Sequence, residues 1–209
     1  MSISNKKTGC ITLMVLLVML GGVFVDAATK TGKQMPFSIA FLPGFFLPGQ
    51  QTVKDMYGSS WLNARGEISW NWHPGFSTFI AFSNQKKSGR TLSSIPGFSW
   101  DAYKLEINIS AFEIGSRLDF KPGRNLLVFA GVSLGYNLIR ENWPDLAVKN
   151  SINRLSPALE AGFRFYLNRR FFLVNLIRFT SISTGRGAYF EPEVNLGGLN
   201  LLLGAGYRL

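Results

Sequence analysis

Along most of this chain apolar and polar side chains alternate with a period of two, the spacing of a β-strand with two unlike faces. Leu62 to Trp72 shows it best. Leu62, Ala64, Gly66, Ile68, Trp70 and Trp72 take one face, and Asn63, Arg65, Glu67, Ser69 and Asn71 take the other. The last stretch repeats the pattern, with Leu199, Leu201, Leu203, Ala205, Tyr207 and Leu209 opposite Asn200, Leu202, Gly204, Gly206 and Arg208. A continuous apolar face backed by a small or polar one predicts a strand with lipid on one side and a narrow polar lumen on the other. The competing reading is a strand of a soluble sheet.

The same spacing predicts eight strands in all. The first runs from Phe37 to Leu47, with Phe37, Ile39, Phe41, Pro43 and Phe45 outward, and Leu62–Trp72 is the second. The third, from Phe76 to Phe82, turns Phe76, Thr78, Ile80 and Phe82 outward. The fourth starts near Trp100 and sets Leu105, Ile107, Ile109 and Ala111 outward against Lys104, Glu106, Asn108 and Ser110. Its phase then flips, with Ile114, Leu118 and Phe120 outward and Glu113, Arg117 and Asp119 inward, which predicts a β-bulge near Phe112. The fifth carries Leu126 to Leu138 outward at alternate positions, and the sixth turns Leu155, Leu159, Ala161, Phe163 and Phe165 outward and Glu160 and Arg164 inward. The facing of the seventh, from Phe171 to about Ile182, stays open, because Asn175 and Arg178 compete for the polar side. The eighth begins near Leu196.

Connections alternate between long and short. Tight turns fall at His73-Pro74-Gly75, Pro122-Gly123 and Asn168-Arg169-Arg170, and long loops centre near Gln51, Lys87, Asp145 and Ala188. An even strand count, short turns on one side and long loops on the other predict an all-β fold: an eight-stranded antiparallel transmembrane β-barrel with periplasmic turns, extracellular loops and both ends periplasmic. Closure is required, because an open edge in hydrocarbon leaves backbone groups unpaired. A soluble ligand-holding barrel would need an apolar interior, whereas the inward set here is charged.

Composition adds the compartment. Lys6 and Lys7, the apolar run Ile11–Val25 and the small residues Val25 and Ala27 lay out a secretory signal peptide. Residues 1–27 are expected to be removed, 28–35 to form a short lead and 36–209 the barrel. The single cysteine, Cys10, lies in the removed segment, so no disulfide framework is expected. The net charge of +10 invites a nucleic-acid reading, but an exported chain without a recognition motif argues against it. Lipid phosphates are the better match.

Val53-Lys54-Asp55-Met56-Tyr57-Gly58, Gly197-Gly198-Leu199 and the closing Gly204-Ala205-Gly206-Tyr207-Arg208-Leu209 extend the picture. With these features residues 36–209 resemble the small outer-membrane β-barrel proteins of Gram-negative bacteria, the group with OmpA-like and OmpX-like domains. The resemblance implies residence in the outer membrane and recognition of the last strand by the barrel-assembly machinery. In that family the final residue is usually aromatic; here it is Leu209. No particular activity is implied, since small barrels host many.

A lumen this narrow is filled by side chains. Arg65, Glu67, Glu106, Glu113, Arg117, Glu160, Arg164 and Arg208 are the expected lumen charge network, a plug of ion pairs; the alternative is a narrow channel for ions or small solutes. Trp70, Trp72, Phe163, Phe171 and Tyr207 are expected in a periplasmic aromatic girdle, and Trp100 in an outer one with Tyr57, Trp61, Tyr103 and Trp143. Lys86, Lys87, Arg90, Arg140, Lys149, Arg154 and Arg186 lie in the expected outer loops, placed to meet lipopolysaccharide phosphates. A protein partner there is possible and leaves no trace in the sequence. The sole histidine, His73, falls in a periplasmic turn, far from any outer-face serine, which disfavours an outer-leaflet lipid-modifying enzyme. No metal-ligand cluster or phosphate-binding glycine loop is visible, and no cofactor is expected. The leading expectation is a structural or interaction role through the outer loops, around a closed lumen.

Overall fold

The computed structural model describes residues 37–93, 101–184 and 194–209. They form strands β1 (Phe37–Pro48), β2 (Trp61–His73), β3 (Phe76–Ser93), β4 (Asp101–Phe120), β5 (Leu126–Trp143), β6 (Val148–Tyr166), β7 (Phe171–Thr180) and β8 (Gly198–Arg208). Each strand pairs antiparallel with its sequence neighbour, and β8 returns to β1, so the sheet closes as an eight-stranded barrel. A short helix, α1 (Gln51–Tyr57), follows β1, and a single 3-10 turn, Pro144–Leu146, caps the β5–β6 hairpin.

Large apolar side chains point outward from all eight strands, among them Phe41 on β1, Leu62 on β2, Leu118 on β4, Leu159 on β6 and Leu203 on β8. A soluble monomer rarely exposes a contiguous apolar patch beyond a few hundred Å². A belt round a closed barrel is the surface that hydrocarbon solvates, and closure satisfies the backbone within it. The expected outward sets of β1, β2, β3, β5, β6 and β8 are the exposed ones.

The wall is uneven in height. β3, β4, β5 and β6 run 18, 20, 18 and 19 residues, against 12, 13, 10 and 11 for β1, β2, β7 and β8. About 9–11 residues suffice to cross a bilayer. Two hairpins, β3–β4 and β5–β6, therefore rise beyond the belt on the long-loop side. This corrects the loops expected over Asn84–Ser99 and Arg140–Asn153: β3 continues to Ser93, β5 to Trp143, and β6 begins at Val148. Above the lipid a strand is free to be polar on its outer face, so its apolar alternation fades while its ladder persists.

The expected bulge near Phe112 is absent. β4 keeps unbroken register with both β3 and β5. Leu105, Ile107, Ile109 and Ala111 therefore face inward with Glu113 and Arg117, and Lys104, Glu106, Asn108 and Ser110 face outward. What changes near Phe112 is the outward set itself, largely apolar from Phe112 to Phe120 and polar from Ser110 back to Lys104, as expected where lipid outside the wall gives way to water. On β7 the open question resolves with Arg178 buried in the lumen and Asn175 on the outer face. A charge facing hydrocarbon costs about 2–4 kcal/mol at the midplane, more than an amide does.

Candidate functional site

The lumen is built in layers, and its middle layer is ionic. β2 contributes Arg65 and Glu67, β4 Glu113 and Arg117, β6 Glu160 and Arg164, and β7 Arg178, each at an inward position of its strand. Arg117 is the hub. Its guanidinium donates to both carboxylate oxygens of Glu67, one at 2.6 Å, and its Nε reaches Glu160 at 2.5 Å. Arg65 donates to Glu113 and lies 3.3 Å from Glu67 and 3.6 Å from Glu160. Arg178 reaches Glu113 at 3.0 Å, and Arg164 reaches Glu67 at 3.3 Å and the Ser69 hydroxyl at 3.0 Å. All seven side chains are shielded from solvent. Apart from Arg65–Glu67 within β2, the pairs link strands that are not neighbours, so they brace the barrel across its bore.

Aromatic rings complete the layer. The Arg117 guanidinium lies 4.1 Å from the centre of the Phe79 ring and 4.5 Å from that of Phe129, and Arg164 lies 5.3 Å from Phe172. These stacks offset part of the desolvation of the cations. Two inward glycines make the room. A Cβ at Gly115 would meet the Phe79 ring at 2.4 Å, and one at Gly131 would meet the Arg117 side chain at 2.8 Å.

Above the ions lies an amide layer, in which Asn63 donates to Asn200 at 2.7 Å and Gln85 to the same oxygen at 3.2 Å. Above that, Phe46, Trp61, Leu105, Ile107, Ile109 and Ile139 form an apolar cluster inside the raised part of the wall. α1 folds over this mouth and buries Val53 and Tyr57 in the cluster. The Tyr57 hydroxyl donates to the Glu141 carboxylate on β5. Burial first, and the neighbouring Glu141 charge second, push the Tyr57 phenol well above its ordinary pKa.

Two residues expected in the charge network stand elsewhere. Glu106 is on the outer face of β4, where it pairs with Lys104 at 3.4 Å in a solvated position. Its inward expectation depended on the bulge that β4 does not have. Arg208 does face inward, but at the short-turn mouth, and none of the ion pairs among the described residues includes it. Arg178 is the member that strand pattern alone missed. The rule that a charge outranks an amide for the lumen would have found it.

The aromatics divide similarly. Trp70, Trp72, Phe163, Phe171 and Tyr207 lie on the outer face of the lower barrel; Phe171 stacks on Tyr207 at 5.0 Å and Trp72 donates to Thr78 at 2.5 Å. Trp100 lies outside the described residues. Tyr57 and Trp61 are inside the lumen rather than in an outer girdle, and Trp143 packs against the same apolar cluster. Arg154 is engaged with the Thr184 carbonyl, and Arg186 lies outside the described residues. His73 is exposed in its turn. Among the described residues no group of three or more His, Cys, Asp or Glu side chains is placed to hold a metal ion.

No family model matches the sequence, and no curated protein does. Solved structures do match the fold. The outer membrane protein OprG from Pseudomonas aeruginosa superposes with TM-score 0.63 at 12% identity, over 85% of this chain and 97% of that one. Neisserial surface protein A gives 0.60 at 10% identity, over 83% and 97%. Ail of Yersinia pestis, solved in complex with the heparin analogue sucrose octasulfate, gives 0.53 at 10% identity, over 85% and 100%. At such identities the likeness is one of fold, and the fold is that of the small, eight-stranded outer-membrane β-barrels.

Proposed function

We propose that this chain is a resident of the Gram-negative outer membrane that acts through its extracellular surface, as a structural or interaction protein, and not as a pore. The filled lumen carries the reading: seven ionic side chains bridge the bore, with an amide layer, an apolar cluster and α1 stacked above them. Moving an ion through would mean breaking buried pairs and passing an apolar plug, each costly on its own. Export by removal of residues 1–27 and insertion by the barrel-assembly machinery belong to the same reading.

The outer partner we favour is lipopolysaccharide. Lys86, Arg90, Lys104, Arg140 and Lys149 all lie on the outer face of the raised wall, above the apolar belt, at the level of outer-leaflet phosphates. The complex of Ail with a sulfated sugar shows that a barrel of this architecture holds a polyanion. The lipid-modifying alternative has little support, since His73 sits at the opposite end from these cations.

Single-channel recording in a planar bilayer tests the closed lumen. The refolded protein, shown to be folded by its heat-dependent gel mobility, is expected to give no discrete current steps. Steady steps that change when Arg65 or Glu67 is substituted would establish a narrow channel instead.

A further inference from the structure

The short-turn end of the barrel carries a second, differently built group of charges. The β4–β5 turn supplies Lys121 and Arg124, the β6–β7 turn supplies Arg169, and the end of β8 supplies Arg208. Barrel closure gathers these distant segments around one open hollow of about 350 Å³, which Asn168 and Tyr166 also line. Four cations surround the hollow and no carboxylate lines it. In the lumen above, by contrast, all four buried arginines are paired with glutamates. None of Lys121, Arg124, Arg169 and Arg208 takes part in an ion pair among the described residues.

The backbone beneath these charges is firmly tied. The Tyr166 amide donates to the Asn125 carbonyl at 2.8 Å, which joins the two turns, and the Arg208 amide donates to Arg170 at 2.7 Å, which joins β8 to them. The Asn168 side-chain oxygen accepts from the Arg170 and Phe171 amides, both at 2.8 Å. These bonds hold the like charges near one another, and although Asp119, inward at the end of β4, acts on Lys121, the rim keeps an excess of positive charge that an anion from outside the chain can match.

The position of the hollow selects the source. Leu126, on its rim, is on the lipid-facing side of β5, whereas Tyr166 faces inward. Just outside, Phe171 stacks on Tyr207, and the Tyr207 hydroxyl accepts from Arg170 at 3.2 Å. Aromatics of this kind mark the headgroup level. The hollow therefore straddles the barrel rim where inner-leaflet headgroups lie, and its volume is within the range of small-ligand sites.

We propose that the periplasmic rim is a binding site for an anionic phospholipid of the inner leaflet. Its phosphodiester occupies the hollow between Arg124, Arg169 and Arg208, and Lys121 meets a second negative charge or oxygen of the headgroup. Four cations line the hollow against one neighbouring carboxylate, Asp119, which acts on Lys121, and this excess favours a net-anionic headgroup over a zwitterionic one. The guanidiniums suit phosphate oxygens, to which they donate in pairs.

Native mass spectrometry of the full-length folded protein, released from nanodiscs holding equal parts of phosphatidylglycerol and phosphatidylethanolamine, tests this. The unmodified protein is expected to retain phosphatidylglycerol in preference by about tenfold. The triple substitution Arg124→Gln, Arg169→Gln and Arg208→Gln is expected to bring the ratio near one. Folding is checked by gel mobility; should the triple variant fail to fold, Arg124→Gln with Arg169→Gln, both exposed turn residues, is measured instead. Equal retention of the two lipids by the unmodified protein would overturn the proposal, as would a preference that survives the substitutions. Loss of the preference in the presence of inorganic phosphate, at constant ionic strength set with chloride, would reassign the hollow to a soluble phosphate and overturn the lipid assignment.

Discussion

Below the Asn63–Asn200 layer the lumen holds four arginines and three glutamates beside an apolar cluster that includes Leu42, Leu127, Phe172 and Leu176, and above it the lumen holds Trp61, Leu105, Ile107, Ile109 and Ile139 with no ionic layer among the described residues. The outer surface changes in the opposite sense. It carries Ile114, Leu118 and Phe120 beside the ionic layer, and Lys104, Glu106 and Asn108 beside the apolar cluster. The lower barrel thus keeps its charges inside and an apolar belt outside, around a buried apolar cluster, and the upper barrel is built like a soluble protein. The difference follows from the solvent. Where lipid surrounds the wall, packing apolar side chains inside gains no hydrophobic free energy, since lipid tails are equally apolar. There ion pairs and their hydrogen bonds tie opposite walls together, beside close packing of the inward Leu, Val and Phe side chains. Above the belt water surrounds the wall, and each Å² of apolar surface taken inside is stabilising by about 25 cal/mol.

The largest expected effect breaks the ionic half. Glu67 faces Arg117, Arg65 and Arg164 at once. Glu67→Ala leaves these cations under-compensated in a buried site, and a loss of about 3–5 kcal/mol is expected. The check is a lowered thermal midpoint in detergent. An unchanged midpoint would mean that the pairs do not hold the barrel.

A smaller effect sharpens the view of the upper half, where the Tyr57–Glu141 hydrogen bond ties α1 to β5. Tyr57→Phe is expected to cost about 1.5–3 kcal/mol, the range for a hydrogen bond to a charged group. It should also remove a pH dependence. The Tyr57 pKa is raised in the folded protein, so its contribution is complete below the unfolded value of about 10 and is lost as pH rises beyond it. Denaturant unfolding at rising alkaline pH should show the unmodified protein losing stability faster than Tyr57→Phe. Parallel curves would separate Tyr57 from the latch.

The smallest effect is expected at Glu106, whose partner Lys104 is solvated. Glu106→Gln should change stability by less than about 1 kcal/mol, as for other exposed pairs. A loss as large as that of Glu67→Ala would return Glu106 to the lumen network and revive the bulge.

Much of the barrel can be read directly from alternation. β2, β5 and β6 have the facing that their patterns predict, and so do Arg65, Glu67, Arg117, Glu160 and Arg164, because a charge in lipid is costly wherever it stands on the strand. The upper part of β4 misleads for a related reason. Leu105, Ile107 and Ile109 carry the same alternation as a lipid-facing set, and nothing local says that lipid has ended. Trp61 and Tyr57 mislead similarly, since an aromatic near a boundary fits a girdle or a capped core equally well.

The strands, their two-faced character, the tight turns and an inward set of opposite charges are thus legible along the chain, since each depends on neighbours one or two residues away. The height to which the wall rises, the exclusion of Glu106, the entry of Arg178 and the gathering of Lys121, Arg124, Arg169 and Arg208 at one rim come from the closed fold. Those outcomes depend on the register of eight strands round a closed wall. Closure sets which residues stand level across the bore, and no single strand carries that information.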